Sequence, residues 1–463
     1  MIKRESMGTL SAKEIAEQFR TKIARGEFLP GQRLPTVREM AKEFRVSSDT
    51  TYRAYKILGE TGLINMRHGA NTFVANPLPG KVGASVLQDV IGKGPYNEFE
   101  ALSESSNVRS FATNVGDPKF FQVDAFLAEL RDVFNCGPWG FYYGPPEGDL
   151  GLRSSLADWL TKLGTPSTAE RLVITMGSQQ AFTLLGRLLL SSGDSVAIEG
   201  ADHLGGQLRW SALGIQRNII PRLVGELPNF NEIEADKSKV IVVSPTGCGA
   251  TGRVMSTQSR RQLLKICSRK GTLIIEDTSN AGFCFVDRPQ DLASEDNKVI
   301  QIGSFANILA PGLRIGYILA SLEICAALSR QQQIETGGLG LPMQIALANY
   351  MRGGALRDQI RRSLPKYRKR RDTLLSSLAK FMPKGNTWTI PQAGFACKVM
   401  IQGQIDQRDL YNRAVESGVA FMPGLSMFHE SESSHSIRIC FGNQSEARIE
   451  EGTRILADLM RAN

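Results

Sequence analysis

The sequence predicts a small helical N-terminal unit closed by a β-hairpin, followed by a larger α/β body built as two lobes. Three observations carry this. At 463 residues the chain is too long for one hydrophobic core. The first 75 residues hold two capping-box patterns with helical apolar stripes, then a short period-two stretch. From about Phe111 onward, strand-like apolar runs alternate with helical stretches, the pattern of a sheet with crossover helices.

In the N-terminal unit, Ser11-Ala12-Lys13-Glu14 opens a helix whose Ile15, Phe19 and Ile23 share one face. Gly26 and the Pro30-Gly31 turn end it. Thr36-Val37-Arg38-Glu39 opens a second helix, with Val37, Met40, Ala41 and Phe44 as its apolar stripe. After a break at Arg45–Ser48, a third helix over Asp49–Glu60 buries Ala54, Ile57 and Leu58. Leu63–Met66 and Thr72–Ala75 read as a hairpin. Three short helices and a hairpin make a winged helix-turn-helix over residues 1–76.

Residues 77–109 are rich in Pro, Gly and Ser and read as a linker. In the body, strands are expected at Arg171–Thr175, Ser195–Glu199, Lys239–Ser244, Thr272–Glu276 and Val299–Gly303, giving a large domain over 110–354 with a parallel or mixed sheet. A helix at Leu364–Leu378 and strands at Phe395–Ile401 and Ser436–Phe441 predict a small C-terminal α/β lobe over 355–463.

Composition narrows the function classes. No apolar run approaches the roughly 18 residues that cross a bilayer, and the first residues lack the apolar segment of a secretory signal. Seven cysteines are scattered with no C-x-x-C pair, which fits core thiols in a reducing cytoplasm and excludes a disulfide framework or a zinc site. His429, His435 and Cys248 show no metal-ligand spacing, so no metal is expected. The net charge is +9, and residues 1–75 carry 13 Lys/Arg against 8 Asp/Glu, or +5 of it. That excess points to a polyanion, although a solvated helical surface can be as basic.

Residues 12–75 resemble the GntR family of winged helix-turn-helix regulators. The resemblance runs through Leu34-Pro35-Thr36-Val37-Arg38-Glu39, Val46-Ser47, Tyr55, Leu58, Gly62-Leu63-Ile64 and Gly69 with Thr72-Phe73-Val74. It implies a double-stranded DNA operator as partner, with the third helix in the major groove and the wing against the minor groove. DNA contacts are thereby expected at Arg38, at Ser47, Ser48, Asp49 and Thr50 of the third helix start, and at Gly69. Arg53, Lys56, Arg67 and His68 join them as cationic phosphate partners on the same faces. Two positions depart from the pattern. Ser48 stands where arginine is common, followed by the carboxylate of Asp49, and Asn71 replaces a second wing glycine. An unusual site preference follows.

Residues 110–460 resemble the fold-type I aminotransferases, and the two-part order is that of MocR-type regulators. The carrying segments include Tyr143-Gly144, Gly177-Ser178-Gln179-Gln180-Ala181, Thr251-Gly252, Ile275-Glu276-Asp277, Gly303-Ser304-Phe305, Ala310-Pro311-Gly312-Leu313-Arg314 and Ile437-Arg438-Ile439. The resemblance implies a pyridoxal phosphate site. Gly177, Ser178, Gln179, Ser304 and Arg314 would form the phosphate cup, joined by Tyr143 from a neighbouring subunit. Asp277 would face the ring nitrogen, and Arg438 would take a carboxylate. His203 stands at the position of the stacking aromatic.

The covalent half of that chemistry is missing. The family frame G-S-F-S-K-x-L-A-P reads Gly303-Ser304-Phe305-Ala306-Asn307-Ile308-Leu309-Ala310-Pro311, so Asn307 stands at the place of the Schiff-base lysine. A tyrosine that would hold the ring oxygen is Ser279, and Pro245–Gly252 lacks the side chains that would assist it. An amide forms no imine and shuttles no proton. No catalytic residue is therefore expected, and any pyridoxal phosphate would be held noncovalently.

Structural alternatives stand beside these roles. Asp277 could cap a helix, Gly177-Ser178-Gln179 could be a tight turn, and Arg438 could serve a dimer salt bridge. The expectation is a cytoplasmic, head-to-tail homodimeric transcriptional regulator whose body senses a pyridoxal-phosphate-like, phosphorylated or amino-acid effector. The alternatives are a pyridoxal phosphate enzyme using another base, such as His203, and a ligand-free dimerisation scaffold.

Overall fold

The computed structural model describes residues 11–24, 28, 32–44, 46–60, 64–66, 72–74, 108–200, 210, 213–223, 227–403, 406–424, 427 and 435–461. The chain divides into two compact units, at residues 1–82 and 83–463.

In the first unit, α1 (Ala12–Ala24) begins at a reciprocal capping box. Glu14 N–H donates to Ser11 Oγ at 3.3 Å, and Ser11 N–H donates to Glu14 Oε2 at 2.8 Å. Thr36 and Glu39 repeat the arrangement at α2 (Val37–Phe44). The third helix, α3 (Ser48–Glu60), starts one residue earlier than expected because Ser47 caps it: Thr50 N–H donates to Ser47 Oγ at 3.0 Å. Strands β1 (Ile64–Met66) and β2 (Thr72–Val74) pair antiparallel, and Leu34 N–H and Val74 N–H bond across to Thr72 and Gln32 carbonyls. Ile15, Phe19, Leu34, Met40, Ala54, Tyr55, Leu58, Ile64 and Val74 form the core. Ile57, expected among them, is half-buried against its edge.

The body is built on a seven-stranded sheet. Its strands are β3 (Leu172–Thr175), β4 (Ser195–Glu199), β5 (Gln216–Ile220), β6 (Val240–Val243), β7 (Leu273–Asp277), β8 (Ile300–Ser304) and β9 (Gly316–Leu319), in the order β3-β9-β8-β7-β6-β4-β5. Neighbours run parallel except β9, which is antiparallel to both β3 and β8. Strands β5 and β9 were not expected. β5 has alternate polar residues and sits at the sheet edge, while β9 follows a loop that reads as motif, not strand. Both faces are covered. Leu172, Ile174, Ile241 and Val243 point into one core, and Val173, Val240, Val242 and Ile302 into the other.

The expected helix at 364–378 is the second half of α4 (Ala355–Phe381), a 27-residue helix that runs through Pro365. The proline is exposed and removes one backbone donor without ending the helix. The small lobe carries a four-stranded antiparallel sheet in which Ala396–Met400 and Ser436–Cys440 are central. Arg109–Ser110 pairs in parallel with Val419–Ala420. The stretch read as the end of a linker and start of the large domain is therefore tied to the small lobe.

Candidate functional site

On the first unit, α3 presents Arg53 and Lys56 to solvent, and Arg38 is exposed on α2. Two expected contacts have structural duties as well. Ser47 caps α3, and its hydroxyl lies 2.8 Å from that of Thr50. Asp49 pairs with Arg53 at 2.9 Å, both well exposed, so a phosphate must compete with that carboxylate for the guanidinium. Ser48 is exposed at the helix start. Arg67, His68 and Gly69 lie outside the described residues, as does His203 of the body.

In the body the expected residues gather at the carboxyl ends of the central strands, where open α/β sheets bind ligands. Gly177 follows β3 and opens the helix Ser178–Leu189 with φ 80° and ψ 177°, a backbone only glycine adopts without strain. No side chain caps that helix, so its first N–H groups are open to an anion. A Cβ on Gly177 would lie 3.3 Å from Nη2 of Arg314, which crosses the glycine and donates to the Met176 carbonyl at 2.8 Å. Arg314 is the one non-glycine residue with positive φ among the described residues, at 51°. The body accepts that strain to bring a cation to the helix start. Gly316, paired with Ser304 on one side and Thr175 on the other, draws the group together: a Cβ there would come within 2.7 Å of the Gly177 Cα. Gln179 and Ser178 are half-buried in the first turn.

Asp277 ends β7 and is buried. Its Oδ1 accepts from Ser279 N–H at 2.9 Å, as a turn cap would, and its Oδ2 accepts from no described residue. Beyond it three asparagines meet. Asn307 Nδ2 donates to Asn280 Oδ1 at 2.9 Å and points at the Ser279 carbonyl at 3.5 Å. Asn114 Nδ2 donates to the same Asn280 oxygen at 3.0 Å. A Cβ on Gly249 would lie 3.2 Å from Asn280 Nδ2 and 3.6 Å from Asn114 Nδ2.

Arg438 reaches that glycine from the opposite side. Its Nη1 lies 3.5 Å from the Gly249 carbonyl, and Nη2 donates to the Ala112 carbonyl. It is buried, its Nε has no acceptor, and no carboxylate lies within 4.0 Å among the described residues. A buried guanidinium without a counter-charge is costly to hold, which is the condition of an anion site awaiting its ligand. Lys398, directly opposite Arg438 in the sheet, is also buried and has its own interactions.

Tyr143 is 91% exposed and takes no part in its own chain's site. Asn114 and Asn280 were not expected from the sequence. They lie 166 residues apart, and neither carries charge, periodicity or motif; only the fold puts them beside Asn307. The donor set fits a phosphorylated pyridine ligand: open N–H groups and Arg314 for phosphate, Asp277 for a ring N–H, Arg438 for a carboxylate.

The aminotransferase class I and II family profile matches residues 112–456, and the profile for bacterial regulatory proteins of the gntR family matches residues 11–74. The body belongs to the aminotransferase class I and II family. Its GntR-type helix-turn-helix makes the whole chain a DNA-binding transcriptional regulator of the MocR type. Two relatives share both parts. The uncharacterized HTH-type transcriptional regulator YdfD of Bacillus subtilis is 26% identical, over 95% of this chain and 94% of its own. The probable rhizopine catabolism regulatory protein MocR of Rhizobium meliloti is 24% identical over 96% and 92%. Among solved structures, Pyrococcus horikoshii kynurenine aminotransferase superposes with a TM-score of 0.74 at 28% identity, covering 79% of this chain and 93% of that one. This MocR-type chain thus has the fold of enzymes that use pyridoxal phosphate. No described helix is long and apolar enough to cross a membrane.

Proposed function

We propose that this MocR-type regulator binds a pyridoxal-phosphate-like or phosphorylated amino-acid ligand noncovalently in its body, and that the body does not transaminate. The carrying observation is the pair formed by Asn307 and Arg438. The amide at 307 is hydrogen-bonded into a chain of asparagines and offers no nucleophilic amine, while the arginine stays buried without a carboxylate. Recognition is kept and proton transfer is not. A group that moves the proton is worth about 100- to 10,000-fold in rate, so its loss alone removes useful turnover.

In this reading Gly177, Ser178, Gln179, Ser304 and Arg314 hold the phosphate, Asp277 the ring nitrogen, Arg438 the carboxylate and His203 the ring face. When pyridoxal phosphate is bound, its chemistry is that of an electron-withdrawing ring; the residues around it orient and exclude water. DNA is held by Arg38, by Ser47, Ser48, Asp49, Thr50, Arg53 and Lys56 of α3, and by the wing residues Arg67, His68 and Gly69. The chain works as a head-to-tail homodimer. Phe141, Tyr142 and Tyr143 are 72%, 64% and 91% exposed, an apolar run that suits burial against a second copy whose site Tyr143 would complete. The protein acts in the cytoplasm, consistent with seven unpaired cysteines. Ligand binding shifts operator affinity only through different affinities for two dimer conformations.

Borohydride reduction after mixing with pyridoxal phosphate, followed by peptide mass mapping, tests the noncovalent reading. No lysine of the body becomes labelled in stoichiometric yield. Full labelling of Lys398, the buried amine opposite Arg438, would instead establish a displaced covalent site and revive the enzyme reading.

A further inference from the structure

The polar atoms left open around Asn307 are unequal in kind. Asn307 Nδ2 faces the Ser279 carbonyl, which can only accept, so the amide's nitrogen is fixed on that side and its Oδ1 points away. That oxygen has no donor among the described residues. Asn280 Oδ1 accepts from Asn307 and from Asn114, which fixes its orientation too. Asn114 has thereby used its nitrogen, and its Oδ1 is buried with no donor. Ser279 Oγ is likewise buried without a partner, in a residue only 8% exposed. The two asparagines share one acceptor atom, so their amides sit side by side. The open inventory is two amide oxygens, which only accept, and one hydroxyl.

We infer that the group this site is built to receive beside Asn307 is an amine and not an aldehyde, so that the body selects pyridoxamine phosphate over pyridoxal phosphate. This rests on the noncovalent pyridine-phosphate reading above. An ammonium brings three donors and no acceptor, and meets both amide oxygens and the serine hydroxyl. An aldehyde oxygen brings acceptors only. It would set its lone pairs against those of Asn307 and Asn114, leaving both unpaired in a buried place. Acceptors on the ligand are served elsewhere, by Arg314 and Arg438. An enzyme that keeps an amine at position 307 has the opposite preference, because its own side chain is the donor. The exchange of lysine for asparagine thus inverts which half of an amine–carbonyl pair the site recognises, and a receptor of this kind reports the aminated form.

Calorimetry on the full-length protein tests this with pyridoxamine phosphate, pyridoxal phosphate, 4-deoxypyridoxine phosphate (a methyl in place of the amine) and inorganic phosphate. Pyridoxamine phosphate is expected to bind about ten-fold or more tightly than either pyridine analogue. Asn307→Leu, which keeps the size and removes the oxygen, brings the three pyridines to within about two- to three-fold of each other, with phosphate affinity unchanged. If the deoxy analogue or pyridoxal phosphate binds as well as the amine in the unaltered protein, the inference is wrong while the ligand site stands. If none of the four gives heat, the site reading itself fails and the inference with it.

Discussion

Three residues show how the body is built for recognition at a cost to stability. Gly177 combines φ 80° with ψ 177° beneath the Arg314 guanidinium. Gly177→Ala should cost about 1–3 kcal/mol, read as a lower urea midpoint, and should abolish any phosphate-dependent rise in melting temperature. Arg438 stays buried without a carboxylate. Glu276 is different in kind: both its oxygens accept N–H groups, from Leu292 and Ala293, and it is fully buried close to Asp291. Burial and then the Asp291 charge push its carboxyl up to about 8 from 4.5, with Arg260 opposing. The folded state therefore holds a proton that the unfolded state has released, between pH 4.5 and about 8. That contribution is fully present below pH 4.5 and falls as pH rises through this window. Glu276→Gln should flatten the slope of urea midpoint against pH between 5 and 8. It should also lower stability by about 1–3 kcal/mol, because one amide N–H would face a backbone donor. An unchanged slope would show that Glu276 is ionised in the fold.

At the scale of elements, local sequence explains the N-terminal unit and part of the body. The two capping boxes form as read, since reciprocal bonds within four residues need no tertiary help. The cap of α3 was missed by one residue because Ser47 and Ser48 are equally good caps on paper. The long helix α4 shows the opposite limit. Pro365 argues for a break, yet the helix runs from Ala355 to Phe381 on the strength of its buried side, with Leu356, Tyr367, Leu374 and Leu378. A proline held there by packing still lacks a donor, so Pro365→Ala should raise the unfolding free energy by about 1–3 kcal/mol by chemical denaturation. A loss would mean the residue kinks the helix to fit its lobe. On α3 and its neighbour, the expected DNA surface carries Arg38 free of any carboxylate and Arg53 paired with Asp49. Arg38→Ala should weaken DNA binding at every sequence and lower the slope of log K against log salt by about 0.9 in magnitude. A changed sequence preference with an unchanged slope would place Arg38 on a base.

For the whole molecule, the order of parts was legible because each has its own local code: caps and a hairpin first, then alternating strands and helices. The substitutions at 307 and 279 were legible because a strong pattern surrounds them. The asparagine group was not, because Asn114, Asn280 and Asn307 come from three separate parts of the chain and become neighbours only when the sheet is assembled. The same holds for the pairing of residues 109–110 with 419–420, which ties the start of the body to its end. A body with recognition groups intact and an amide where the reactive amine belongs is a ligand-gated module for the DNA-binding unit. The most direct measurement is single-turnover spectroscopy of the full-length protein with pyridoxal phosphate and a panel of amino acids, following conversion to the pyridoxamine form and the keto acid. The account predicts no conversion above the protein-free rate. Conversion catalysed well above that rate would contradict it.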